Sequence, residues 1–125
     1  MGTESADQRT AVITGGTGNL GSTVTRTFLS EGYRVAIPWL KQEQWEELED
    51  ELDEPERDRV LAMHADLTDE EQVKNVMEEA GNRWGRIDCL LNLAGAAAFG
   101  EKIWEMELET WQKMLSVNLT TAFLC

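Results

Sequence analysis

The sequence predicts an α/β fold: a doubly wound parallel sheet of about four strands, built in three layers with helices on both faces. Three observations predict it. Short β-rich runs alternate with longer helical patterns, and a glycine cluster follows directly on the first β-rich run. The run at 87–93 is apolar on both faces, as suits a strand covered by helices on both sides. Alternating units with short connections pack through right-handed crossovers, which makes the strands parallel.

Thr10-Ala-Val-Ile-Thr14 is the first strand and enters the glycine cluster. Leu20, Val24 and Phe28 then recur every four residues and mark one face of a helix that Gly32 ends. Arg34-Val-Ala-Ile37 predicts a second strand closed by Pro38. Trp45, Leu48 and Leu52 give the next helix a narrow apolar stripe, with Pro55 beyond it. Val60-Leu-Ala-Met63 is the third strand, and Thr68 with Glu71 has the spacing of a capping box. Val73, Val76, Met77, Ala80 and Trp84 share one face of the helix that follows, before Gly85. Ile87–Leu93 is the fourth strand. A loop then runs to about Glu107, and a last helix carries Trp111, Met114, Leu115 and Phe123.

That helix stops at Phe123-Leu124-Cys125 with no cap, glycine or polar tail. The expected organisation is a flexible tail over 1–9 and a partial domain over 10–125, truncated after about four strands. An unpaired edge on the fourth strand would favour a homo-oligomer.

The net charge of −13 repels phosphate, so nucleic acid and anionic membrane are excluded as partners. Lys41–Asp58 holds ten acids against two bases and carries most of that charge. Both a solvated helix face and adaptation to salt remain open for it. Met1–Gln8 lacks the apolar stretch of a signal peptide, and no run approaches the ~18 apolar residues of a membrane span. A soluble cytoplasmic protein is expected. Cys89 and Cys125 make neither a disulfide framework nor a metal-ligand pattern, and no metal site is expected. His64, the only histidine, reads as structural.

Thr14-Gly-Gly-Thr-Gly-Asn-Leu-Gly21 carries the main functional signal. Gly16, Gly18 and Gly21 have G-x-G-x-x-G spacing between a strand and a helix, the context in which backbone N–H groups at a helix start bind a pyrophosphate. A mononucleotide P-loop is excluded because Ser22 stands where its lysine must be. Dinucleotide folds commonly place an acid about 20 residues beyond the glycines to hold the adenosine ribose. Here the second strand ends Ile37-Pro-Trp-Leu-Lys41 with no acid. Lys41 could meet a 2′-phosphate, which leans towards NADP over NAD, or it could be an exposed lysine at a helix start.

Four features together resemble the short-chain dehydrogenase/reductase family. They are Thr14-Gly15 at the head of the glycine cluster, Asp66-Leu67 after the third strand, Asn92-Leu-Ala-Gly95 after the fourth, and Val117-Asn118-Leu119 in the last helix. Their order and separations match from Thr10 onward. The resemblance implies a Rossmann-type sheet and an NAD(P)-dependent oxidoreductase that exchanges hydride with an alcohol/carbonyl pair. It implies that Gly15, Gly16, Gly18, Asn19 and Leu20 line the pyrophosphate, with Asp66 and Leu67 near adenine. Asn92, Ala94 and Gly95 would lie near the nicotinamide-side ribose, and Asn118 would belong to the catalytic set.

Two departures stand out. The commonest subgroup spaces its glycines T-G-x-x-x-G-x-G, which puts Asn19 in the place of the middle glycine. Asn19 tolerates left-handed dihedrals, so the turn is expected to form. The family's catalytic Ser and Tyr-x-x-x-Lys have no counterpart, and Tyr33, the only tyrosine, starts the second strand. A small-molecule substrate is therefore expected only with a second half supplied. The alternatives are a non-catalytic half-domain that binds a nucleotide or self-associates, and a flavodoxin-like FMN binder.

Overall fold

The structure is a computed structural model and describes residues 8–125. Four parallel strands, β1 (Thr10–Thr14), β2 (Arg34–Trp39), β3 (Val60–His64) and β4 (Cys89–Asn92), lie in the order β3-β2-β1-β4. Consecutive strands β1 to β3 step outward on one side, and β4 then pairs with the other side of β1. That reversal creates a crevice at the carboxyl end of β1, where open α/β sheets bind ligands. The sheet is of Rossmann type.

Alternate residues of β1 face opposite layers. Ala11 and Ile13 pack with Leu29, Val35, Ile37, Leu48 and Leu52 under helices α1 (Asn19–Ser30) and α2 (Gln42–Glu51). Val12 packs with Ala36, Ala65, Leu67, Val73, Val76, Ala80 and Trp84 under α4 (Glu70–Trp84). Between α2 and β3 lies a single turn, α3 (Glu54–Arg57), which the sequence reading did not anticipate. Asp53 and Glu56 cap it reciprocally, and Pro55 sits in its first turn, where a missing N–H costs nothing.

Several expectations need correction. The buried face of α1 is Gly21, Thr25 and Leu29, while Leu20 is 66% exposed. Val24 and Phe28 are half-buried against the core beside that face, and Gly21 and Thr25 are the residues that meet the glycine loop. Pro38 does not close β2. Val35 N–H donates to the Arg59 carbonyl and Trp39 O accepts from Ala65 N–H, so odd-numbered residues of β2 face β3. Pro38 therefore faces β1, where pairing ends at Val12–Ala36, and no ladder bond is lost. The cap of α4 is Asp69, whose carboxylate accepts from the Glu71 and Gln72 N–H groups. Thr68 instead bonds Asp66.

β4 is shorter than expected and is covered on one face only. Cys89 and Leu91 pack beside Leu29, whereas Leu90 on the other face is 39% exposed. The last helix is interrupted: α5 (Leu108–Leu115) passes through a π-helical turn (Ser116–Thr120) into α6 (Thr121–Leu124). No residue of α5 is buried. Among the described residues no helix is long and apolar enough to cross a membrane, and no group of three metal-binding side chains occurs. Of the 1–9 segment, residues 1–7 lie outside the described residues. Gln8 Nε2 donates to the Gly32 carbonyl at 2.6 Å, and the Arg9 carbonyl accepts from Arg34 N–H at 2.9 Å.

Candidate functional site

The glycine loop is shaped by contacts that leave no room for side chains. Gly15 has φ +64°, and a Cβ there would lie 2.6 Å from the carbonyl carbon of Leu93. It is Gly15 that takes the left-handed conformation. Asn19, expected to supply it, is the first residue of α1, and no described non-glycine residue has positive φ. A Cβ on Gly21 would collide with the Gly15 carbonyl, so the first turn of α1 rests directly on the loop. Gly16 is buried, and the fully buried Thr25 hydroxyl donates to its carbonyl at 3.0 Å.

Gly18 differs from these. A Cβ there would meet only the Gly15 carbonyl, at an ordinary 3.4 Å. Gly18 caps α1 without a side chain, so the N–H groups of the first turn, Asn19 and Leu20 among them, have no intrahelical acceptor. Those donors and the positive end of the helix dipole suit an anion.

Thr14 ties this loop to β4. Its buried hydroxyl accepts from the N–H groups of Leu93 at 3.1 Å and Ala94 at 3.2 Å, and donates to the Leu91 carbonyl at 3.3 Å. The two strand ends are therefore tied together through one hydroxyl.

A cleft of about 400 Å³ opens at this end of the sheet. It brings together Gly15, Gly18, Lys41, Asp66, Leu67, Ala94 and Gly95 of the residues singled out from sequence. Gly16, Asn19, Leu20, Asn92 and Asn118 lie outside its lining: Gly16 sits beneath the loop, and the other four are exposed at element ends or on the last helix. The sequence reading missed Thr17, Trp39, Gln44, Thr68, Val117 and Thr121, which also line the cleft. Trp39 had a visible signal, a large aromatic at a strand tip beside the glycines. The Thr17 hydroxyl donates to Gln44 Oε1 at 3.4 Å and joins the loop to α2. A larger groove of about 600 Å³ lies at the opposite end of the sheet, around Arg9, Phe28 and Tyr33, and none of the candidates lines it.

Asp66 holds its own turn. Its Oδ1 accepts from the Thr68 hydroxyl at 2.7 Å and the Thr68 N–H at 3.0 Å, which lowers its pKa below the ordinary carboxylate value. Asn118 clasps the loop after β4. Its Oδ1 accepts from Ala96 N–H at 3.1 Å, and its Nδ2 donates to the carbonyls of Ala96 and Met114, each at 2.9 Å. A Cβ on Gly95 would strike Asn118 Oδ1, so this loop is held against the π-helical turn. Such turns interrupt α-helices frequently at functional sites.

The comparisons with known proteins give the family and the fold. Residues 9–125 match the family model of the short chain dehydrogenases. The chain is 34% identical over 112 residues to the short chain dehydrogenase/reductase dpchG of Colletotrichum higginsianum, covering 90% of this chain and 41% of that protein. The structure of ElxO with NADP bound superposes with a TM-score of 0.85 at 27% identity, over 94% of this chain and 47% of ElxO. A 3-ketoacyl-(acyl-carrier-protein) reductase of Brucella melitensis complexed with NADH gives 0.83 at 26%, over 93% and 46%. The chain thus spans less than half the length of each of these three proteins. Fold, loop and matching family pattern run together from Arg9 to Cys125, and the chain belongs to the short-chain dehydrogenase family.

Proposed function

We propose that this chain is the cofactor-binding part of an NAD(P)-dependent oxidoreductase that interconverts an alcohol and a carbonyl compound. One observation carries the reading: Gly18 is a glycine that the protein's own packing does not require, at a helix start that borders the cleft. Space kept clear beside unpaired N–H groups suits a pyrophosphate. Gly15, Gly16, Gly18, Asn19 and Leu20 would hold that group. Asp66 and Leu67 would hold the adenine end, and Lys41 would meet a 2′-phosphate, which favours NADP. Asn92, Ala94 and Gly95 would hold the second ribose. ElxO with NADP and the Brucella reductase with NADH support a nicotinamide dinucleotide here.

When bound, the nicotinamide ring supplies the hydride. The chain's own residues bind and orient: Thr14 fixes the loop against β4, and Asn118 fixes Ala96 and, with it, the wall beside Gly95. These 125 residues contain no Tyr-x-x-x-Lys to move the proton. The chain by itself is therefore expected to bind the dinucleotide and turn over no ketone, which also keeps open a purely nucleotide-binding role. Calorimetric titration with NADP and NAD tests the reading. Binding of either, lost in Gly18→Val with the circular dichroism unchanged, supports it; equal affinity in wild type and Gly18→Val sinks it.

A further inference from the structure

The larger groove, at the opposite end of the sheet from the glycine loop, carries chemistry that the nucleotide reading does not use. Its volume of about 600 Å³ lies within the ~300–1,000 Å³ of small-molecule sites. Phe28 and Tyr33 form an apolar wall, edge to face, with ring centroids 4.8 Å apart and planes inclined at 71°. Both rings are half-buried at the margin of the core cluster around Leu29, which fixes them and leaves part of each open. The backbone beneath them is pinned from two sides. Arg59 Nη1 donates to the carbonyls of Leu29 at 2.7 Å and Tyr33 at 2.9 Å, and Gln8 Nε2 donates to the Gly32 carbonyl. The wall is therefore in place before any ligand arrives.

The charges on the groove narrow what that ligand is. Its lining holds one cation, Arg9, just before β1, and one acid, Glu31, just after α1, both exposed. The two do not pair with each other, and the Glu31 carboxylate has no hydrogen bond or ion pair among the described residues. Of the several N–H donors of the Arg9 guanidinium, only Nη1 is engaged, by the Tyr33 hydroxyl at 3.5 Å. Asp88, whose charge also favours that guanidinium, is already held by Arg86 at 2.6 Å and by the Thr10 N–H at 2.8 Å. A simple anion would be repelled by Glu31, and a simple cation by Arg9. A ligand with a ring and both charges satisfies all three features.

We infer that this groove is a binding site for a free aromatic α-amino acid, with the carboxylate on Arg9, the ammonium on Glu31 and the ring against Phe28 and Tyr33. The inference does not rest on the nucleotide reading. Tyr33 is the only tyrosine of the chain, so labelling with 3-fluorotyrosine puts a single fluorine at the groove. L-Phenylalanine is the probe. Two smaller probes accompany it: 3-phenylpropionate, which lacks the ammonium, and phenethylamine, which lacks the carboxylate. The fluorine resonance should move saturably with phenylalanine. Each missing charge should weaken binding about fivefold or more, the low end for charge-assisted bonds because Arg9 and Glu31 are exposed. Arg9→Gln and Glu31→Gln should each weaken phenylalanine binding to a similar extent and leave the circular dichroism unchanged.

A resonance that stays in place up to about 10 mM phenylalanine overturns the site. Equal affinity for phenylalanine and either smaller probe overturns the amino acid as its ligand. So does phenylalanine binding that survives Arg9→Gln and Glu31→Gln unchanged. Should either variant unfold, the two smaller probes on the wild-type chain decide.

Discussion

Replacing Thr14 by valine removes one hydroxyl while keeping shape and β-branching. Thr14 is 1% exposed, and its oxygen serves the N–H groups of Leu93 and Ala94 and the carbonyl of Leu91. In Thr14→Val two donors and one acceptor lose their partner. A buried group stranded in this way costs about 1–3 kcal/mol. The contacts are 3.1–3.3 Å long, and both Leu93 and Ala94 are half-buried, so water can reach part of the gap and each cost falls at the low end. The total comes to about 2–4 kcal/mol, a large share of the ~5–15 kcal/mol that holds a domain folded. Thr14→Ser keeps the hydroxyl and gives up a buried methyl, worth about 1 kcal/mol. Urea unfolding followed by circular dichroism gives both numbers, with the midpoint shifting at constant m. The order is the test: valine should destabilise more than serine. If serine is the worse of the two, Thr14 acts by packing and the hydrogen-bonded staple is wrong.

The remaining predictions touch other parts of the molecule. Gly21→Ala should cost several kcal/mol or prevent folding, because its Cβ meets the Gly15 carbonyl, whereas Gly18→Ala should unfold within about 0.5 kcal/mol of wild type; parallel urea curves decide between them. The folded-state pKa values of Asp66 and Asp88 are both lowered, by the Thr68 hydroxyl and by Arg86 respectively. Their contribution to stability is present above the unfolded carboxylate value, about 3.9, and is lost as pH falls through the folded values. Acid titration of the urea midpoint should show that decline, and Asp66→Ala should weaken it. Self-association is expected through α5 and its continuation, where Leu108, Trp111, Leu119 and Phe123 are 49–83% exposed; a constant monomer mass by light scattering across a hundredfold concentration range would refute it.

The sheet was legible because strands that bury alternate residues under two helical layers must be locally apolar, and Thr10–Thr14 and Val60–Met63 are. The glycine loop was legible because only Gly15 fits the backbone of Leu93, and only Gly21 lets α1 rest on the loop. What escaped depends on contacts distant in sequence. Asp69 outcompetes Thr68 as the cap because Thr68 is already drawn to Asp66. Thr14 staples a strand 77 to 80 residues away, which no local pattern reveals. Trp39 at a strand tip had a visible signal, but its bracing by His64 and its place on the cleft wall appear only once β3 pairs with β2. The coverage of β4 was misjudged for the same reason: an apolar run shows that a face can be buried, and only the tertiary structure shows what lies against it.

Sorting the glycines by what a side chain would strike separates two demands on one loop. At Gly15 and Gly21 a Cβ meets the protein's own backbone, and at Gly95 it meets the Asn118 amide. Glycine at Gly15 and Gly21 is required for folding, with or without a ligand, whereas at Gly95 the Asn118 side chain can give way. At Gly18 nothing in the chain forbids a methyl group, and the proposed pyrophosphate accounts for glycine there. That asymmetry gives a way to divide binding from stability at single residues. Substitutions at Gly15 and Gly21 should lower both together, because the loop cannot form. Substitution at Gly18 should lower binding alone. A pyrophosphate held by N–H groups at a helix start needs both conditions, a loop that is rigid before the ligand arrives and one open point on it. The Thr14 staple and the Thr25 hydroxyl supply the first, and Gly18 supplies the second.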